Sequence, residues 1–299
     1  MLLRREARDT LTAVEMMHDD LLQFRRLDGT RVDIQLVRTD AEIIATTLQE
    51  PGVEEPGATT TYRFHADVRV DGTPLRIERE VGTQASFYEP TAVAGVHIWL
   101  DAVDAIFAFM RETHAPCRPN ATCSHSRPPR PHARLALQDA TARICPDTVQ
   151  PWCPLPDGGL RIEDCYRGED CWLGAYDGAS AHGGLDINHA AGTPLYAPIA
   201  VDDQFLYNSL EMGHNNNRWR GLRRWPDGSQ WVLTSCHMVE LTVPEHRPLA
   251  AGEQYALGAG VWIGAAEHSH FAFAVIDRGE LIRLDPWILF RQMYRDQAG

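Results

Sequence analysis

Ala181-His182-Gly183-Gly184-Leu185-Asp186-Ile187 is followed closely by Gly192-Thr193-Pro194-Leu195-Tyr196-Ala197-Pro198. Glycine opposes a helix because it forfeits more backbone freedom there than any other residue. The two glycines between His182 and Asp186 therefore place this stretch where a loop enters a strand, an arrangement that lets both side chains converge. Far downstream, Glu267-His268-Ser269-His270-Phe271-Ala272-Phe273 opens a β-prone run. Alternate residues of a strand share a face, so His268 and His270 point the same way. One of them can bind a metal while its neighbour reaches a substrate.

Neutral imidazoles and a carboxylate are the ligands that zinc takes when it keeps one position open for chemistry. An H-x-H pair or an H-x-x-x-D pair alone is more often structural than metal-binding. Their joint occurrence with the Gly192–Ala197 run is much more specific. One further histidine, in Ser235-Cys236-His237-Met238, sits within an apolar stretch between these two motifs.

Residues of about 165–290 resemble a lysostaphin-type zinc metallopeptidase domain, the family that includes bacterial cell-wall endopeptidases. The family's H-x-G-x-D-[IL] motif is met by His182, Gly184, Asp186 and Ile187, and its Gly-Thr-Pro-[VL]-x-Ala segment by Gly192–Ala197. His237 occupies the place of an isolated histidine usually set in Tyr-Ala-His-Leu, and His268-Ser269-His270-Phe271 is the closing H-x-H. Leu284-Asp285-Pro286-Trp287 is similar to the ending of these domains. The resemblance implies a mainly β fold, an antiparallel sheet of the duplicated hybrid motif with its metal in a groove. It implies Zn2+ held by His182, Asp186 and His270, with His237 and His268 as the catalytic pair. A glutamate base of the H-E-x-x-H kind is absent, so the two histidines take that work. One would help deprotonate the attacking water, and the other would stabilise the oxyanion of the tetrahedral intermediate.

The chain departs from the family pattern in places. Ser269 stands where the family usually has Leu, and its side chain is expected to face away from the metal. Asp202–Gly228 is longer than the family's short hairpin and reads as an insertion that reshapes the groove. His189, His214 and His246 match no motif position and read as surface or structural residues. If His237 enters the groove, strand alternation should turn Cys236 out of it, as a buried thiol.

Upstream, residues 1–112 read as a small β-sandwich-like domain. Leu21–Leu27 and Arg31–Arg38 flank Asp28-Gly29, and Tyr62–Val70 and Pro74–Val81 flank Asp71-Gly72; both dipeptides signal hairpin turns. Val93–Leu100 gives a further strand, and Asp101–Arg111 shows helical spacing, a closing helix. His65 and His97 read as packed or surface histidines. Residues 113–152 form a Pro/Cys-rich linker with a short helix at Arg134–Arg143, and 153–299 the metallopeptidase domain. Cys117, Cys123, Cys145, Cys153, Cys165 and Cys171 cluster in this loop-like stretch. They suggest local disulfides in an oxidising compartment; the other reading, a structural zinc site, lacks paired C-x-x-C spacing.

The 299 residues carry a formal charge of −13 with only short arginine runs, which argues against nucleic acid, whose binding requires a basic surface. No apolar stretch approaches the ~20 residues of a membrane-spanning helix. The N-terminus carries no secretory signal as written, yet the cysteine cluster points to an extracellular or periplasmic location. The leading reading is a zinc endopeptidase acting on peptides of peptidoglycan stems or cross-bridges. A second is a catalytically inactive domain of the same family that binds peptide or a partner, and a third makes the N-terminal domain an adhesion module. Net negative charge opposes anionic wall polymers, which points either to a local basic patch, with Arg218, Arg220, Arg223 and Arg224 the candidates, or to a soluble peptide substrate.

Overall fold

The computed structural model describes residues 1–47, 60–106, 132–168, 170–176, 180–208, 217–259 and 267–297. The chain divides into two compact units, Met1–Pro146 with Leu173–His182, and Asp147–Trp172 with Gly183–Gly299. Both are built mainly from antiparallel sheet.

In the first unit, β1 (Leu2–Glu6), β3 (Leu21–Arg25), β4 (Arg31–Thr46), β5 (Thr60–Val70) and β6 (Thr73–Val81) form one sheet in the order β1-β3-β4-β5-β6. Only the β1–β3 pairing in it is parallel. Both expected hairpins are present, β3–β4 around Asp28-Gly29 and β5–β6 around Asp71-Gly72. At the second turn Asp71 and Gly72 both take positive φ, 48° and 83°, the backbone that a two-residue hairpin of this twist requires. Along β5 Tyr62, Phe64, Ala66, Val68 and Val70 are buried and alternate with more exposed polar residues.

A second sheet of this unit runs β2-β9-β8-β7, from β2 (Thr12–Met16), β7 (Thr91–Val93), β8 (Val96–Val103) and β9 (Ala133–Asp139). Here the linker reading is corrected: 133–139 is a strand, not the short helix expected over Arg134–Arg143. All seven of its residues are buried between β2 and β8. A strand covered on both faces loses the alternation that would identify it. The buried Arg134 on β9 pairs with Asp101 on β8 at 2.6 Å. Of the closing helix expected at Asp101–Arg111, the first three residues belong to β8 and residues 107–111 lie outside the described residues. A two-stranded pair, β10 (Ala175–Tyr176) and β11 (Ser180–Ala181), completes the unit.

The second unit centres on a six-stranded sheet of β12 (Leu185–Asn188), β14 (Asp203–Asn208), β15 (Arg218–Arg224), β16 (Gln230–Cys236), β19 (His268–Asp277) and β20 (Glu280–Leu284). Its order is β12-β19-β16-β15-β14, with β20 also paired to β19. A smaller sheet, β13-β18-β17, is made from β13 (Pro194–Tyr196), β17 (Glu240–Leu241) and β18 (Gln254–Leu257). The segment 202–228, expected as a groove-reshaping insertion, supplies two regular strands of the central sheet, β14 and β15; Asn215, Asn216 and His214 lie outside the described residues.

One face of the central sheet is the core. Phe271 lies 4.9 Å from Trp152 and 5.3 Å from Phe290, and Phe273 meets Trp231 edge-on at 4.9 Å. Phe290 comes from α1 (Trp287–Gln297). The Asp285 carboxylate accepts from the Trp287 amide at 2.8 Å, so Asp285 caps the helix and Pro286 follows at the position that tolerates a missing N–H. The Leu284–Trp287 ending therefore has a structural reason: it stops β20 and starts α1.

Five cysteines fall among the described residues, Cys145, Cys153, Cys165, Cys171 and Cys236; all are buried and no disulfide joins them. The expected bridges within the cluster are thus not formed among these residues, while Cys117 and Cys123 lie outside them. The cysteines are spent on packing: Cys153 and Cys165 have no exposed surface.

Candidate metal centre

Four backbone segments supply the histidine cluster. His182 is fixed by two backbone hydrogen bonds, from the Leu173 amide to its carbonyl oxygen and from its amide to the Gly174 carbonyl oxygen. Asp186 sits on β12 directly opposite His270 on β19, and Asn188 opposite His268. In-register partners project from the same face of a sheet. This is how a loop-to-strand motif near residue 182 meets an H-x-H far downstream.

Ligand atoms of His182, Asp186 and His270 all lie within 4.8 Å of one another, and all three residues are buried. The Asp186 carboxylate lies between two imidazoles. Its Oδ1 is 2.7 Å from Nδ1 of His270 and its Oδ2 is 3.5 Å from Nε2 of His268. Two imidazoles and one carboxylate converging in a buried site is a donor set that suits zinc. Gly184 makes the convergence possible: a Cβ there would overlap the His270 ring and the Phe271 carbonyl oxygen.

His237 joins from the turn that follows β16. Its ring lies edge-on to His268 at 4.7 Å and to His270 at 6.2 Å. Contrary to the expectation from strand alternation, Cys236 is not turned to the face away from the cluster. Cys236 is in register with His270 and shares its sheet face. Strand β16 ends at Cys236, and His237 takes a left-handed φ of 62°, so the period of two no longer governs it. That conformation costs a non-glycine residue roughly 1–2 kcal/mol. Asn217, fully buried, holds the turn from the next residue. Its amide nitrogen donates to the Met238 carbonyl oxygen and its oxygen accepts from the Met238 amide, both at 2.7 Å.

Other residues around the cluster carry no motif signal. Tyr166 stacks on His268, with ring centres 4.2 Å apart and planes 23° from parallel. Ser269 faces away from His268 and His270, as expected for its place in a strand. Its hydroxyl accepts from the Ala259 amide at 2.9 Å and lies 2.8 Å from Nε2 of His189. Burial, with a smaller contribution from His268, pushes the His189 imidazole down to about 4. It is therefore neutral near pH 7 and serves as a structural partner of Ser269. His246 is exposed and lies 3.6 Å from Asp203. His97 touches Gln138 at 3.2 Å and His65 lies 3.8 Å from Asp67, neither near a further ligand set among the described residues.

No protein-family model matches the chain, and none of the curated proteins matches it. Solved structures do. A solution structure of lysostaphin is 21% identical over 38% of this chain, with a TM-score of 0.32; the match spans 44% of that protein, less than half its length. The catalytic domain of the antimicrobial peptidase lysostaphin from Staphylococcus simulans is 20% identical, with 47% of this chain and 88% of that one covered and a TM-score of 0.31. A zinc-containing peptidase from Vibrio cholerae is 10% identical over 91% of this chain and 83% of that one, with a TM-score of 0.32. The solved structures to which this chain is similar thus include lysostaphin, after which the family its motifs resemble is named.

Proposed function

We propose that this chain is a zinc-dependent endopeptidase acting on peptides of peptidoglycan stems or cross-bridges. The observation that carries the reading is the buried convergence of His182, Asp186 and His270 within 4.8 Å, with His237 and His268 against it. In this reading the first three hold Zn2+, which supplies a Lewis acid and a local positive charge when bound. The protein's own part is positioning and proton movement. His237 and His268 stand side by side, so one takes a proton from the attacking water while the other donates a hydrogen bond to the oxygen that gains charge. Tyr166 holds the His268 ring by stacking, and Asp186 reaches His268 as well as His270.

The test uses metal content and turnover together. One zinc per chain is expected by elemental analysis of the purified protein. His182→Ala, Asp186→Ala and His270→Ala should each lose it, because three protein ligands are too few to spare one. His237→Ala and His268→Ala should keep zinc and lose turnover by roughly 100-fold or more. New amino groups released from isolated peptidoglycan in a chelator-sensitive way are the expected product. Full zinc occupancy in all three ligand variants would sink the metal assignment. Cleavage of soluble glycine-rich peptides without any cleavage of peptidoglycan would remove the cell-wall substrate and leave the peptidase.

A further inference from the structure

The row of side chains that holds Asp186 and His270 does not end there. His270 is in register with Cys236, and Cys236 with Arg218. Asp186, His270, Cys236 and Arg218 therefore form one line across β12, β19, β16 and β15, on one face of the sheet. The next row along is Ala272, Thr234, Arg220 and Phe205. The intervening residue of β15, Trp219, points to the other face, where it stacks on Tyr255 at 3.9 Å. Adjacent strands lie about 4.8 Å apart, so the backbone of Arg218 stands about 10 Å from that of His270, on the histidine side.

Arg218 is 7% exposed. Other arginines among the described residues have carboxylate partners: Arg223 reaches Asp147 at 3.0 Å and Asp202 at 3.2 Å, and the buried Arg134 reaches Asp101. Among the described residues Arg218 makes no ion pair and no side-chain hydrogen bond. Arg220 has no carboxylate partner among them either; its guanidinium lies over the Tyr207 ring at 4.1 Å, and its Nε is buried without a hydrogen-bond partner. A buried, uncompensated guanidinium costs several kcal/mol unless an anion meets it. Arg218 stands on the face that carries the histidine cluster, and the half-buried Arg220 lies on the same face, with the small side chains of Ala272 and Thr234 in the row that leads to it.

We propose that Arg218, with Arg220 beside it, is a carboxylate-binding subsite for the peptide presented to the histidine cluster. The proposal rests on the peptidase reading and adds to it the class of substrate: a peptide bearing a carboxylate, from its own C-terminus or from an acidic side chain. The planar guanidinium takes a carboxylate through two parallel hydrogen bonds, which fixes the chain's register as well as holding its charge. An extended peptide covers about 3.3–3.6 Å per residue. The carboxylate therefore belongs roughly two to four residues from the bond at the cluster. Such a subsite also lets a chain of charge −13 accept an anionic peptide.

Two matched probe pairs test it: acetyl-pentaglycine as free acid and as amide, and an acetyl-pentapeptide amide with glutamate or glutamine next to its C-terminus. Binding is measured by calorimetry on the zinc-free full chain, so that no turnover intervenes, and cleavage is measured separately on the zinc-loaded chain. In at least one pair the carboxylate form should bind tenfold or more tightly, and the pair that responds identifies the source of the carboxylate. Arg218→Gln should reduce that ratio below about twofold while leaving the uncharged peptide's affinity unchanged, and Arg218→Lys should keep part of it. Circular dichroism checks folding, and Arg220→Gln, expected to give an intermediate ratio, is the second variant. Equal binding within both pairs, or a ratio that survives in Arg218→Gln, overturns the subsite. Selective carboxylate binding without cleavage of any peptide would uphold the subsite and sink the peptidase; cleavage with equal binding within both pairs would do the reverse.

Discussion

A methyl group at Gly184 would meet the His270 ring and the Phe271 carbonyl oxygen. The second contact is to backbone that β12 and β19 hold in register, so it cannot swing aside as a flexible side-chain end could. Gly184→Ala must then displace His270 or prise the two strands apart. Overpacking of this kind typically costs 1–3 kcal/mol. Its consequence for the cluster is sharper than for the fold, because the donor atoms of His182, Asp186 and His270 converge only while β12 and β19 stay paired. Gly184→Ala is expected to lower zinc occupancy to a small fraction of wild type although every ligand residue is intact. Elemental analysis of the variant checks this; full occupancy in Gly184→Ala would mean that the site tolerates a spread the geometry does not allow. The same glycine explains why the H-x-G-x-D spacing is legible in sequence. It marks a close approach, whereas Tyr166 against His268 depends on a loop whose path no local pattern announces.

At the scale of elements, the legible parts are those whose geometry is forced by one or two residues. Asp28-Gly29 and Asp71-Gly72 supply positive φ at hairpin turns, and the strands on either side follow from alternation. Strand β9 was hidden because both its faces are buried, which erases the period of two. Alternation misplaces the Cys236 side chain because the period of two does not extend past the end of β16, into the left-handed turn at His237. That turn depends on Asn217, which lies at the start of β15 and makes both of its Met238 hydrogen bonds in a fully buried setting. Asn217→Ala removes both and leaves the Met238 amide and carbonyl groups without these partners, at about 1–3 kcal/mol for each buried group left unsatisfied. The expected outcome is a stability loss of about 2–6 kcal/mol by urea unfolding and a fall in turnover at unchanged zinc content, since His237 leaves its place while the three ligands keep theirs. Asn217→Asp, which can accept from the Met238 amide but not donate to its carbonyl oxygen, should lie between. Unchanged turnover in a folded Asn217→Ala protein would show that His237 is held without this clamp.

Across the whole molecule, the feature least legible in the sequence is the state of its sulfur. Cysteines clustered in a proline-rich stretch resemble a disulfide framework, because small loop-rich domains lack the core to hold themselves together otherwise. The second unit does not lack one: Trp152, Trp219, Trp231, Tyr255, Phe271 and Phe273 are all fully buried. Cysteine enters such a core as a small apolar side chain. Burial pushes the Cys153 thiol well above its ordinary range, and burial with the nearby Cys171 does the same for Cys165. Since the thiolate is the reactive form, these sulfurs should be inert while the chain is folded. Alkylation of the native protein, quenched and mapped by mass, is expected to leave Cys145, Cys153, Cys165, Cys171 and Cys236 unmodified. The same reagent in denaturant without any reductant should modify all five. Their labelling rate then follows global opening and slows when zinc is added, because an ion held at 1,000 times its dissociation constant stabilises the folded chain by about 4 kcal/mol. A bridge between any two of the five in the denatured, unreduced sample would reverse this conclusion and restore the oxidised cluster; labelling that ignores zinc would separate the folding of the core from occupancy of the histidine cluster.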